Sequence, residues 1–273
     1  MGTRVELHVF GVGDADALAN ARAAVEAVDD ALTIHRPSPA TALNERLATG
    51  QSAAIDAPIL LAALAEVDPL VALTGGLFDP AADVARTGGW ASITLDATAA
   101  RISTTRPLAL DFGGFGKGYA LDRAVAVLRD AGVVSAFLSA GESSIAVVGR
   151  HPLDVRWPVG IPDPTMPDSF LVELELEDEA LSISSTIGAH ADAPGRSPTV
   201  RPHTGEVVAT PRTAIAVERS GARAEAMSTA LLIADDAERA RLIGDERDRR
   251  FVFGHTISST DIKDLRRHGR HGI

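Results

Sequence analysis

LDFGGFGKGYALD, residues 110–122, is the stretch from which the rest of the chain is read. Its start continues a short apolar run, residues 108–112, that predicts a strand. Gly113, Gly114, Gly116 and Gly118 follow as a loop. Residues 119–131 then carry apolar positions at Ala120, Ala124, Val127 and Leu128, which share one helical face. Glycines let backbone approach a ligand closely. The start of a helix offers free N–H groups and the positive end of its dipole. Lys117 adds a cation where a phosphate would sit, and Asp111 offers a carboxylate to a ligand's N–H groups. The plain alternative is a glycine-rich turn with a surface lysine. The string is neither GxGxxG nor GxxxxGK[ST], so neither a Rossmann nor a P-loop site is supported.

Working outward, AEAMSTALL at residues 224–232 places Glu225, Ser228 and Thr229 at i, i+3 and i+4, on one helix face. Three such oxygens suit a hard cation. The competing reading has Glu225 in solvent and the hydroxyls bonded back to helix carbonyls. GGLFDP, residues 75–80, reads as a turn. Phe78 there is either a platform for a flat ring or a core residue, and Asp79 either binds a polar edge or caps the turn. His190 and His203 lie in a Gly-, Pro-, His- and Ser-rich stretch, residues 187–206, that reads as a long loop. Either is a candidate base.

The 273 residues, 45% hydrophobic and 23% charged, suit an ordinary globular protein. The net charge of −11 argues against nucleic acid as the main partner. With no cysteine, disulfides, thiolate catalysis and cysteine-ligated zinc are excluded. No apolar run is long enough to span a membrane. The N-terminal MGTRVELHVF has neither leader nor lipobox character, so a cytoplasmic location is expected.

Strands are expected at 3–10, 91–95, 101–104, 133–138, 144–148, 157–161, 171–176, 181–184, 214–218 and 251–253. Helices are expected at 14–32, capped by Asp14, and at 57–74, 222–234 and 235–244, with a polar break at 44–47. The mixture lacks strict β–α–β alternation. It therefore predicts an α+β fold with mixed or antiparallel sheets and flanking helices, as one domain over residues 1–258. Residues 259–273 form a basic tail expected to fray.

Taken together, these segments resemble the ApbE-type flavin transferases, the FAD:protein FMN transferases. The likeness runs through MGTRVELHV, LTIHRPSPATALNE, TGGLFDP, LDFGGFGKGYALDRA, LSAGESSIAVVG, WPVGIPDP and AEAMSTALLI, in that order. It implies a single α+β domain that binds FAD and Mg²⁺ and moves FMN to a Thr or Ser hydroxyl of a target protein, releasing AMP. It implies that Asp111 and Lys117 hold FAD, with Lys117 near the pyrophosphate, and that Phe78 and Asp79 lie along the flavin or adenine. It also implies that the Gly114 carbonyl, Glu225, Ser228 and Thr229 hold the metal. The departures fall in three places, one of them Gly141-Glu142, where the family has a glycine pair and this chain puts a carboxylate where backbone normally passes close. The late loop reads PTVRPHTG, residues 198–205, so Pro198 stands where the family has a histidine and Arg201 where it has an aspartate. Glu225 replaces the usual metal aspartate, which moves the carboxylate by about 1.5 Å, one C–C bond. The alternative reading is a divergent FAD-binding homologue without transfer, a flavin carrier or an FAD pyrophosphatase.

Overall fold

The computed structural model describes residues 3–11, 16–82, 89–187 and 199–256. The chain begins with β1 (Val5–Val9), α1 (Ala17–Leu32), α2 (Pro39–Leu47), β2 (Ala53–Ala54) and α3 (Pro58–Thr74). Next come β3 (Ile93–Asp96), β4 (Arg101–Thr104) and α4 (Gly116–Asp130). β5 (Ser135–Ala140), β6 (Ser144–Gly149), β7 (Trp157–Asp163), β8 (Met166–Leu176) and β9 (Ala180–Ser185) follow. The chain closes through β10 (Val200–Arg201), β11 (Glu206–Val207), β12 (Arg212–Glu218), α5 (Gly221–Ile233), α6 (Asp236–Ile243) and β13 (Arg250–Gly254).

The central sheet has the order β1-β5-β6-β9-β12-β13, and every neighbouring pair is antiparallel. Both of its faces are covered. On one lie α1, α4 and α5, with Leu121, Ala124 and Leu128 of α4 packed under Ala136, Leu138 and Ala146. The other is covered by the long β7–β8 hairpin. Trp157, Val159, Leu174 and Leu176 of that hairpin meet Ile145, Val147, Ile215 and Val217 of the sheet. This explains why β6, SIAVVG, reads as a nearly continuous apolar run rather than an alternation. The expected α+β class with antiparallel sheets is what the chain adopts. No helix among the described residues is long and apolar enough to cross a membrane.

Two local expectations change. The polar break expected at 44–47 is the end of α2. Ser38 and Thr41 form a capping box there, with Pro39 in the first turn, and together they start a helix that runs through the polar residues. Residues 108–112 are extended but join no sheet. Asn44 takes the place of a partner strand: its Nδ2 donates to the Leu110 carbonyl at 2.8 Å, and its Oδ1 accepts from the Leu110 N–H at 2.8 Å. An amide side chain thus satisfies a backbone that would otherwise be left unpaired. The helix expected from residue 14 begins at Ala17 with Asp16 in the cap position; Asp14 lies outside the described residues.

Candidate functional site

The site is assembled where the starts of α4 and α5 touch. A Cβ added at Gly118 would stand 2.1 Å from the Gly221 carbonyl oxygen, and one at Gly221 would stand 2.5 Å from the Gly118 oxygen. Only two glycines permit this approach of backbones. Asp122 fastens the junction. Its carboxylate accepts from the N–H groups of Gly221 at 2.6 Å and Ala222 at 2.9 Å, and from the Ser220 hydroxyl at 3.0 Å. Those are the orphan donors at the start of α5, so one carboxylate from a neighbouring helix caps it. Burial pushes the Asp122 carboxyl above its ordinary value, against the pull of these donors, and the negative charge of Glu225 adds to the rise.

This junction carries Lys117 to Glu225. The Nζ lies 2.7 Å from Glu225 Oε1, and the Ser144 hydroxyl of β6 donates to the same oxygen at 2.6 Å. Glu225 is 2% exposed, so the expectation of a solvated carboxylate fails. Its second oxygen, Oε2, is buried without a hydrogen-bond partner. A buried carboxylate oxygen left unpaired costs free energy, and a ligand or an ordered water would complete its bonding.

The other residues singled out by sequence fall into distinct roles. Thr229 faces the glycine loop: a Cβ added at Gly114 would lie 3.0 Å from Thr229 Oγ1 and 3.6 Å from the Phe78 ring. Ser228 is turned the other way. Its hydroxyl is engaged by Ser182 at 3.0 Å, Ser184 at 2.9 Å and the Glu225 carbonyl at 3.1 Å. That hydroxyl is spent on β9 and its own helix, so the expected Glu225–Ser228–Thr229 donor face reduces to Glu225 and Thr229. Phe78 is 2% exposed and stacks on Phe115, with ring centroids 6.5 Å apart. It supports the loop from the core side rather than offering a free ring.

Asp79 behaves as a turn cap. Its carboxylate accepts from the Trp90 N–H at 2.9 Å and the Ala81 N–H at 2.8 Å. Burial raises its pKa, while those two N–H groups and the positive field of His203 oppose the rise. His203 sits in the turn between β10 and β11 and reaches Gly76, where an added Cβ would come within 3.1 Å of its Cε1. The GGLFDP turn and the late loop are therefore neighbours. Asp111 closes its own turn by accepting from the Gly113 N–H at 2.8 Å. Together with Lys117, Gly113, Thr33 and His35 it lines a cavity of about 120 Å³. His190 and Pro198 lie outside the described residues.

Arg201, the other late-loop departure, is structural. Its guanidinium donates to both oxygens of Glu238, at 2.6 and 2.7 Å, and to the Ile233 carbonyl at 2.9 Å. It ties the β10–β11 hairpin to the end of α5 and the start of α6. Sequence reasoning passed over Ser144, Asp122 and Asn44, because each acts on a residue more than 60 positions away.

Among the described residues, no group of three or more His, Asp or Glu side chains converges to hold a metal. The available donors are one buried carboxylate, one hydroxyl and loop carbonyls. That set is too sparse for a self-sufficient cage, but it suits Mg²⁺, which takes one or two carboxylates and fills its other positions with water and substrate phosphates.

Comparison with known proteins covers most of the chain. A model of the ApbE family matches residues 1–253. The chain is 28% identical over 272 residues to a Rhodobacter capsulatus protein named FAD:protein FMN transferase, covering 88% of this chain and 51% of that one. It therefore spans about half the length of that curated relative. Among solved structures, the ApbE protein of Thermotoga maritima superposes with a TM-score of 0.75 at 19% identity, covering 97% of this chain and 96% of that one. The flavin transferase ApbE of Vibrio cholerae gives 0.74 at 17% identity, with the same coverage. The flavinyl transferase ApbE of Pseudomonas stutzeri, in its apo form, gives 0.73 at 19% identity, covering 94% and 93%. At these identities the structures speak for the fold, and the family match speaks for kinship. The chain belongs to the ApbE family.

Proposed function

We propose that the protein is an FAD:protein FMN transferase that moves FMN from FAD to a Thr or Ser hydroxyl of a target protein. The observation that carries this reading is the buried junction of Lys117, Glu225 and the Gly113–Gly118 loop. It provides one cation for a pyrophosphate, one unsatisfied carboxylate oxygen for a metal, and backbone bare enough for a dinucleotide to approach.

In this reading the cavity lined by Asp111 and Lys117 receives one part of FAD, the rest lying outside it, with Lys117 on the pyrophosphate. Phe78 supports the glycine loop from the core side, and Asp79 holds the GGLFDP turn in place. Glu225 and Thr229, with the Gly114 carbonyl, would hold Mg²⁺, which would supply positive charge beside the pyrophosphate. The acceptor hydroxyl attacks the FMN phosphorus, forming a new P–O bond while the bond to the AMP-side bridging oxygen breaks. AMP leaves carrying that oxygen. His203, held against the GGLFDP turn, takes the hydroxyl proton on a ring nitrogen. His190 is the other candidate for this task.

The test mixes the protein with FAD, Mg²⁺ and a Ser/Thr peptide acceptor, and follows AMP by chromatography and flavinylated peptide by mass. Both products are expected in equal amounts. FAD cleavage to FMN and AMP with unmodified peptide would replace transfer by a pyrophosphatase reading. Tight FAD binding with neither product would leave a flavin carrier. His203→Ala is expected to slow transfer by about a hundredfold or more while leaving FAD affinity in place. An undiminished rate would remove His203 from the mechanism.

A further inference from the structure

We infer that Lys117 and Ser144 together lock Glu225, so that metal and dinucleotide can bind tightly only as a pair. This rests on reading the site as one for a dinucleotide and a metal. It goes beyond that reading by assigning Ser144 a positioning role and by fixing how the two ligands depend on each other.

The lock is visible in how the Glu225 carboxylate is bonded. Oε1 carries two partners, Lys117 Nζ at 2.7 Å and Ser144 Oγ at 2.6 Å, while Oε2 carries none. Ser144 is 1% exposed and rigidly placed on β6 opposite Ser182 of β9, so its hydroxyl fixes where the carboxylate points. Lys117 is the only lysine among the described residues of a chain otherwise rich in arginine. A lysine ammonium makes a point contact that can be exchanged, unlike the fixed fork of an arginine.

Consider each ligand arriving alone. A cation that takes Glu225 away from Lys117 leaves a partly buried ammonium, its side chain 23% exposed, beside a new positive charge. An anion that draws Lys117 away leaves a carboxylate that is 2% exposed and held only by Ser144. The buried carboxylate of Asp122 is close enough for the two negative charges to oppose each other. Breaking one half of a buried pair is costly because it strands the other charge. When both ligands arrive, the pair exchanges partners, Lys117 to phosphate and Glu225 to metal, and no charge is stranded. The result is positive coupling between the two sites, equal in both directions. Glu225, longer than an aspartate at this position, reaches the lysine and the serine; the lock follows from that reach.

The experiment measures Mg²⁺ affinity by calorimetry with and without saturating FAD, and FAD affinity by flavin fluorescence with and without saturating Mg²⁺. A protein-free control corrects for chelation by the nucleotide. We expect each ligand to tighten the other by the same factor, about tenfold or more. Lys117→Met should let Mg²⁺ bind alone about as well as it binds with FAD. Ser144→Ala, which keeps the lysine charge, should lower the coupling factor, and Ser144→Thr should restore it. A wild-type factor below about twofold overturns the lock, as does a factor undiminished in Lys117→Met. If both ligands bind without coupling, only this inference falls. If FAD does not bind at all, the dinucleotide reading falls with it.

Discussion

Helix α5 carries an ion pair near each end, and the two are built differently. Toward its start, Lys117 meets a single oxygen of Glu225, whose other oxygen is buried and unpartnered. Past its end, Arg201 meets both oxygens of Glu238 and the Ile233 carbonyl, so neither carboxylate oxygen is left unpaired. The second pair is saturated, and it holds a hairpin to two helices. The first is under-satisfied in a buried place, which costs stability unless a ligand completes it. From sequence alone two of the departures from the family pattern, Glu225 and Arg201, look alike. Bond saturation separates them: one belongs to the site and the other to the scaffold.

Four measurements would break or sharpen this contrast, the largest effect first. Glu225→Gln keeps the shape and an acceptor for Ser144 but removes the charge. Transfer, or Mg²⁺-dependent FAD cleavage, should fall by about two orders of magnitude, the scale of several kcal/mol expected for lost metal assistance. Unchanged turnover in a steady-state assay would move the metal elsewhere.

Gly118→Ala attacks the helix junction under the first pair. The added methyl meets the Gly221 carbonyl, so unfolding in urea should show a loss of about 1–3 kcal/mol or more. FAD affinity should fall with it, because Lys117 and Glu225 are separated. A neutral result would mean that the two helices part without cost.

Arg201→Ala tests the saturated pair. Its partly exposed bonds should contribute about 1–2 kcal/mol, while FAD affinity in the folded protein stays as it was. The effect should depend on pH in a defined sense. Burial pushes the Glu238 carboxyl up, yet the Asp235 N–H and the Arg201 guanidinium outweigh it and hold it below the ordinary glutamate value. A carboxyl lowered in the folded state stabilises above its unfolded pKa, and that stabilisation is lost as pH falls through the folded one. The difference between wild type and Arg201→Ala should therefore shrink as pH drops below the ordinary glutamate range. A difference that grows there would contradict the assignment.

Asp122→Ala removes the side-chain cap of α5 and should cost about 1 kcal/mol. Because Asp122 is raised in the folded state, the wild type gains stability relative to the variant as pH falls through that raised value toward the ordinary aspartate pKa. Equal pH profiles would show that its charge has no part in the junction.

Much of the architecture was legible in the order of residues. The apolar periodicity of residues 119–131 and 222–234, and the alternating or continuous apolar strands, place most elements within a few residues of their observed limits. The exceptions are informative. Residues 108–112 look like a strand because they are apolar, but whether an extended segment joins a sheet depends on its neighbour, which here is Asn44 from a distant helix. The break expected at 44–47 failed because the capping box at Ser38 and Thr41 outweighs the polar run beyond it.

The site divides in the same way. Sequence by itself named the candidates for the chemistry: a glycine loop with one lysine, and a helix face with a carboxylate and two hydroxyls. Residue type and helical spacing are local properties, so a string of letters holds them. Tertiary structure alone decided how those groups are used. It turned Ser228 toward the serines of β9, buried Phe78 in the core, and brought Ser144 and Lys117 onto one oxygen of Glu225. These outcomes depend on which surfaces two glycines allow to touch and on how many bonds each buried oxygen finds there. Both are set by packing among segments far apart in the chain.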